Sequence, residues 1–146
     1  MLFTKASEYA LLSLIYIARK DVPQDVDTIS RELDISKSFL AKILQNLAKE
    51  EILYSFKGAN GGFKLAKDAC EINLKEIIEG AEKQGATVFV CSNAKEDCEK
   101  SDICGIWHIF NTLQQEVDGY LEKITLEDIM NKKGLKWEFT IFHTRI

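Results

Sequence analysis

The sequence predicts a mainly α-helical chain with one small β-hairpin, organised as a winged helix-turn-helix followed by a long dimerisation helix. Three observations carry this reading. The segment TISRELDISKSFLAKILQNLAKE holds two helical patterns joined at Asp34-Ile35. Directly after it, apolar runs flank KGANGG, and Asn-Gly between apolar runs is a strong hairpin signal. Further on, apolar residues between Gly105 and Lys123 recur near every 3.5 residues, the spacing of a helix–helix seam.

The chain opens with Thr4 placed to cap a helix from about Lys5 to Arg19. Its stretch YALLSLIYIA is apolar on nearly every side, and Glu8 is its lone acid. A helix of that kind is expected to be buried all round, against its own domain and a second chain. Asp21, Pro23 and Asp25 break it.

Asp27 is expected to open a short helix with Ile29 and Leu33 at i, i+4. Ser36 is expected to cap the next, in which Leu40, Ile43, Leu44 and Leu47 form one apolar stripe. Ser38, Ala41, Lys42, Gln45 and Lys49 lie on the opposite face. Two helices with a polar, basic outer face describe a helix-turn-helix, although a plain helical hairpin has the same pattern. The strands that follow, Ile52 to Phe56 and Gly62 to Leu65, supply a wing and decide between them. Lys57 and Lys64 flank its tip, where glycines allow close approach to a phosphate backbone. The DNA-contact candidates are Ser36, Lys37, Ser38, Lys42, Gln45, Lys57, Asn60, Gly61 and Lys64.

Asp68 to Ala81 reads as one amphipathic helix with Leu74, Ile77 and Ile78 apolar. Cys70, beside Ala69 and near Ile72, reads as a small buried apolar residue without a role. The remaining cysteines, Cys91, Cys98 and Cys104, are spaced C-x6-C-x5-C in a segment whose only strongly apolar interior residue is Ile103. Burial cannot order such a segment, so three converging thiolates point to a metal or a cluster. The tight C-x2-C knuckle of zinc fingers is absent, and ligand softness leaves zinc and iron–sulfur open. A metal-free alternative makes the thiols a redox switch.

The seam helix after them steps through Ile106, Phe110, Leu113, Val117, Tyr120 and Ile124. Thr125 caps a last short helix, and LKWEFTIFHTRI alternates weakly as a strand.

With 146 residues the chain has the length of one domain with an appended arm. It has no apolar run of about 18 residues, which excludes a membrane-spanning helix. Its start lacks the charge pattern and cleavage site of a secretion signal, so a cytoplasmic protein with reduced cysteines is expected. The net charge of −4 hides an asymmetry. Residues 1–67 carry 10 Lys and Arg against 8 Asp and Glu, a net of +2, while residues 68–146 carry 9 against 15, a net of −6. A mildly basic half joined to an acidic one fits a DNA reader with an attached sensor or interface. No nucleophile–base pair or phosphate loop appears, so no enzyme is expected. An electron carrier would need neither the outer-face lysines nor the glycine-tipped wing. The expected organisation is residues 1–82 for DNA binding, 83–105 for the cysteine loop, and 106–146 for the dimerisation helix and tail.

From Met1 to about Asn131 the chain resembles the winged-helix iron–sulfur transcription regulators typified by IscR and NsrR. The resemblance rests on MLFTKASEYAL, VDTISRELDISKSFLAKILQNLAKEEIL, KGANGGFKLAKD, three cysteines before a long helix, and GYLEKITLEDIM after it. It implies a homodimer on a palindromic DNA operator, sensing redox state, nitric oxide or cluster supply. It implies a two-iron or four-iron cluster on Cys91, Cys98 and Cys104, groove-facing positions at Ser38 and Lys42, and a wing contact at Lys57. Members with a histidine ligand place it three residues past the last cysteine, where this chain has Trp107, with His108 one further on. Others use a carboxylate of the partner subunit early in the first helix, and Glu8 stands there. Glu8 is therefore the leading fourth-ligand candidate and His108 the lesser one.

Overall fold

The computed structural model describes residues 3–83, 85–89 and 103–131. Helix α1 spans Lys5–Ala18. Thr4 Oγ1 accepts a hydrogen bond from the Ala6 amide at 3.1 Å, so the expected cap is formed. Ser7, Ala10, Ser13, Leu14 and Ile17 are buried, but Leu12 remains 41% exposed. Within one chain the helix is thus buried on one side and half-buried over most of the rest, with Lys5, Glu8 and Leu12 left exposed.

Helix α2 spans Val26–Leu33, one residue longer at its start than the sequence indicates. Asp25 is the cap: its Oδ1 accepts from the Thr28 amide at 2.9 Å and its Oδ2 from Thr28 Oγ1 at 2.6 Å. Those bonds hold the Asp25 carboxyl below its ordinary pKa, chiefly through the Thr28 hydroxyl. Asp34 ends the helix in the left-handed region, at φ 54°, a conformation Asp tolerates better than most residues. Helix α3, Lys37–Lys49, follows at once. Its stripe Leu40, Ile43, Leu44 and Leu47 is wholly buried, as the spacing predicts.

Strands β1, Leu53–Phe56, and β2, Gly62–Leu65, pair antiparallel with Leu53 opposite Leu65 and Phe56 opposite Gly62. Asn-Gly locates the hairpin correctly but does not turn it. The positive φ values fall at Gly58 (99°) and Gly62 (141°), and Gly61 N–H donates to Gly58 O at 3.0 Å. Gly62 has a second duty. Phe63 exchanges two backbone hydrogen bonds with Gln24, at 2.9 and 2.8 Å, and a Cβ on Gly62 would collide with the Gln24 carbonyl. The connection before α2 thereby becomes a third rung of the wing sheet.

The single helix expected over Asp68 to Ala81 is instead two pieces. Asp68 and Glu71 form a capping box on a 3-10 turn, Ala69–Glu71, and Asn73 with Glu76 forms another on α4, Leu74–Glu82. Between them Ile72 is extended and fully buried. Two successive caps and an extended residue cannot be absorbed into one helix. Cys70 sits on the 3-10 turn and is exposed, contrary to the buried position expected of it.

Helix α5, Gly105–Lys123, and α6, Leu126–Met130, complete the described chain. Thr125 caps α6 as predicted, with a capping box to Asp128. Leu126 is fully buried in the main core with residues of α1, α2 and α3. A smaller core joins Ile78 of α4 to Ala86 and Leu121, with Val117 packed on it. Of the predicted seam, Val117 and Phe110 therefore serve the chain itself, Phe110 by stacking on Phe89 at 4.4 Å between ring centroids. Ile106, Ile109 and Leu113 stay exposed, at 56, 68 and 44%. The predicted terminal strand lies outside the described residues.

Candidate nucleic-acid interface and cysteine site

Helix α3 owes its position to its apolar stripe. Burying Leu40, Leu44 and Leu47 forces the opposite face outward, and Ser38, Lys42, Gln45 and Lys49 are all exposed there. The tertiary structure thus brings together three of the DNA-contact candidates, Ser38, Lys42 and Gln45, on one face. Ser36 occupies the cap position, yet its hydroxyl makes no capping bond and lies 3.2 Å from Ser38 Oγ. Lys37 is also exposed, but its ammonium is 2.6 Å from Asp27 Oδ1 and ties α3 to α2.

The wing separates its candidates in the same way. Lys57 and Asn60 are exposed near the tip, and Gly61 is half-buried. Lys64 donates to the Asp21 carbonyl at 3.1 Å, toward the end of α1. Tyr54 stands directly opposite Lys64 in the hairpin register and is 58% exposed, leaving an aromatic and a cation on the outer face.

Of the cysteine trio, Cys91 and Cys98 lie outside the described residues. Cys104 is a free, half-buried thiol at the cap position of α5. Its backbone is extended, at φ −88° and ψ 103°, so helical spacing alone does not set its relation to His108. His108 is exposed and packs edge-on to Trp107 at 4.9 Å. Glu8 is exposed on α1, with Oε2 2.7 Å from Lys5 Nζ. Among the described residues no three His, Cys, Asp or Glu converge as a metal site.

Two polar anchors are absent from the residues the sequence singles out. Glu82, the last residue of α4, accepts hydrogen bonds on Oε1 from the Thr4 amide and hydroxyl, both at 2.9 Å, and from Ser7 Oγ. Burial pushes its pKa up, but the Ser7 and Thr4 bonds outweigh that and hold it below the ordinary value. Gln114, buried in α5, accepts from the Val88 amide and donates to the Ala86 carbonyl, both at 2.8 Å. A polar residue amid an apolar helix pattern is the one hint the sequence offers for it.

No helix among the described residues is long and apolar enough to cross a membrane. A family model, Rrf2, described as an iron-dependent transcriptional regulator, matches residues 3–132. The chain is 31% identical over 139 residues to the HTH-type transcriptional regulator NsrR of Bacillus licheniformis, covering 93% of this chain and 97% of that one. It is 28% identical over 137 residues to IscR of Serratia proteamaculans, covering 92 and 82%. Among solved structures it is similar to CymR, the global cysteine regulator of B. subtilis, with a TM-score of 0.65, 23% identity and coverage of 89 and 96%. It is similar also to T. potens IscR, with a TM-score of 0.66, 19% identity and coverage of 97 and 96%. The structural likeness establishes the winged-helix fold, and the relatives are named as regulators, not as enzymes. Matched over residues 3–132 and built around an outward-facing helix beside a wing, the chain belongs to the Rrf2 family and is a DNA-binding transcriptional regulator.

Proposed function

We propose that the chain is a cytoplasmic homodimeric regulator whose operator affinity is set by an iron–sulfur cluster on Cys91, Cys98 and Cys104. In this reading residues 1–82 read DNA, 83–105 hold the cluster and 106–146 make the dimer. The observation that carries it is at Cys104. One residue is both the cap position of α5 and the last member of the thiol trio, and the helix it begins presents Ile106, Ile109 and Leu113 to solvent. An apolar stripe of this kind calls for a partner, and a second copy of α5 supplies one about a two-fold axis. The donor chemistry fits the group, since three soft thiolates suit iron–sulfur and leave one position for a weaker ligand. When bound, such a cluster supplies a centre whose integrity responds to oxidants, nitric oxide or iron supply.

What the chain's own residues do follows from their places. Cys104 links the state of the 91–104 segment to the start of α5. A change there alters how two copies of α5 meet, and with them the spacing of two α3 helices on a palindromic operator. Ser38, Lys42 and Gln45 enter the major groove, while Lys57, Asn60 and Gly61 meet the backbone beside it. Ser36, Lys37 and Lys64 stand at the margins of that footprint. Glu8 of one protomer completes the site of the other, with His108 as the lesser candidate. A coupling of about 1–3 kcal/mol between cluster and DNA changes affinity about 5- to 150-fold, enough for a genetic switch.

The test is iron and acid-labile sulfide content after anaerobic purification. Wild type and Cys70→Ala are expected to be brown and loaded, and the Cys91, Cys98 and Cys104→Ala variants depleted. Bound zinc in colourless protein removes the cluster in favour of a zinc site. Colourless, metal-free protein with full DNA binding favours a thiol switch.

A further inference from the structure

The surface between α3 and the end of α4 is hollowed. One cleft of about 500 Å³ is lined by Phe39, Lys42, Asn46, Ala81, Glu82 and Lys83, among others. A second, of about 430 Å³, shares Asn46, Lys83 and Gly85 with it. Three elements meet here: the start of α1, the outer edge of α3 and the last turn of α4. The cleft is therefore bounded by the helix that reads DNA and by two that hold it in place.

Its chemistry is specific. Glu82 is a fixed carboxylate, because three donors from Thr4 and Ser7 hold Oε1 and keep the group ionised at neutral pH. Its other oxygen takes no hydrogen bond among the described residues. Lys83 is set by the backbone, in the left-handed region at φ 64°, with its amide donating to Glu79 O at 2.9 Å. Neither Lys83 nor Lys42 belongs to an ion pair among the described residues. Two lysines and one anchored carboxylate thus line a cleft whose wall also carries Asn46, Thr4 and Thr87, with Phe39, Ile43 and Ala81 as its apolar part.

We propose that this cleft binds a small amino-dicarboxylate, of the class of acidic α-amino acids. Two carboxylates match Lys42 and Lys83, one ammonium matches the open side of Glu82, and a short alkyl chain lies on the apolar wall. Charge-assisted hydrogen bonds of that kind are the strong ones, and a few convergent polar groups on an apolar wall are how small-ligand sites discriminate. A simple dianion leaves Glu82 unmatched and meets its repulsion, and a simple cation meets two lysines. Occupancy also has a consequence for DNA. Lys42 borders the cleft and stands on the exposed face of α3, and one ammonium cannot hold both a ligand carboxylate and a DNA phosphate. The ligand therefore weakens DNA binding. This last step rests on α3 being the reading helix, whereas binding in the cleft does not.

The experiment is calorimetric titration of the full chain, without DNA, with L-glutamate and with glutarate, which lacks the ammonium. Saturable binding of L-glutamate is expected, with glutarate at least about tenfold weaker, and with Lys83→Gln reducing glutamate affinity about tenfold at an unchanged melting temperature. The second arm measures binding to duplex DNA. Saturating L-glutamate is expected to weaken it about fivefold or more in wild type and not in Lys83→Gln. No saturable heat up to about 10 mM, glutarate binding as tightly as glutamate, or full affinity in Lys83→Gln each overturns the site. Glutamate binding that leaves DNA affinity unchanged supports the cleft and overturns the shared use of Lys42, separating the two readings.

Discussion

Asn73 and Thr125 face each other across an isolated antiparallel bridge, and each is also the cap residue of the helix that follows it. The Leu74 amide donates to Ile124 O and the Leu126 amide to Ile72 O, both at 2.8 Å. Two helix starts are therefore stitched together, which carries the end of α5 back to the winged-helix core and seats Leu126 in it.

Thr125→Ala removes the hydroxyl that accepts from the Asp128 amide at 3.1 Å and leaves the backbone bridge intact. A loss of about 0.5–2 kcal/mol is expected, the usual cost of a lost N-cap. Urea unfolding measures it through the midpoint. An unshifted midpoint means the backbone bridge alone holds α6.

On α3 stability and DNA reading should come apart. Leu44→Ala opens a cavity in the core and is expected to cost about 2–5 kcal/mol. Lys42→Ala should leave the melting temperature within a degree or two, weaken DNA binding, and flatten its salt dependence by about one unit of slope. Lys57→Ala should do the same from the wing. Two lysine variants with unchanged affinity and slope remove the proposed contacts.

Ile109 is 68% exposed on α5 although isoleucine in a long helix is normally covered. Ile109→Asp is expected to convert a dimer to a monomer in sedimentation velocity, with the helical circular dichroism of the chain retained. A variant that stays dimeric moves the interface off this face.

The fourth ligand is tested by comparing Glu8→Ala with His108→Ala. A carboxylate binds iron as a harder and weaker partner than a thiolate. Glu8→Ala is expected to change the visible circular dichroism and to hasten cluster loss in air more than His108→Ala does. Bleaching in His108→Ala alone assigns the ligand to histidine and leaves Glu8 as the partner of Lys5.

Glu82 makes a prediction about acid. Its folded pKa lies below the ordinary value, because the Ser7 and Thr4 hydrogen bonds outweigh burial. Its contribution to stability is thus complete above the unfolded pKa of about 4.3 and is lost as pH falls through the lower folded value. Glu82→Gln should be less stable than wild type at neutral pH, with the difference shrinking below about pH 4. Melting temperatures across the acid range read this directly, and a constant difference excludes Glu82 as the titrating group.

Local periodicity settled much of the chain. The stripe Leu40, Ile43, Leu44 and Leu47 needed only the geometry of one helix to name both the buried face and the outward one. Thr4 and Thr125 were legible as caps because a cap bond spans two or three residues. The hairpin was legible too, although its turn was not: Gly58 and Gly62 carry the positive φ values, and Gly62 is held to glycine by the distant Gln24.

What only the tertiary structure decided depends on residues far apart in the chain. Ile72 and Asn73 carry a helical pattern in sequence, yet pairing with Thr125 draws them extended and splits the expected helix. Lys37 and Lys64 look like Lys42 and Lys57 as text, but Asp27 and the Asp21 carbonyl engage the first two and no ion pair holds the others among the described residues. The seam of α5 shows the same limit. A spacing of 3.5 residues identifies an apolar stripe but not its neighbour, and the fold gives Phe110 to Phe89 and Val117 to the cluster that holds Ile78 and Ala86 while leaving Ile106 and Leu113 to solvent. Periodicity states that a face must be covered; only the placement of distant elements says by what.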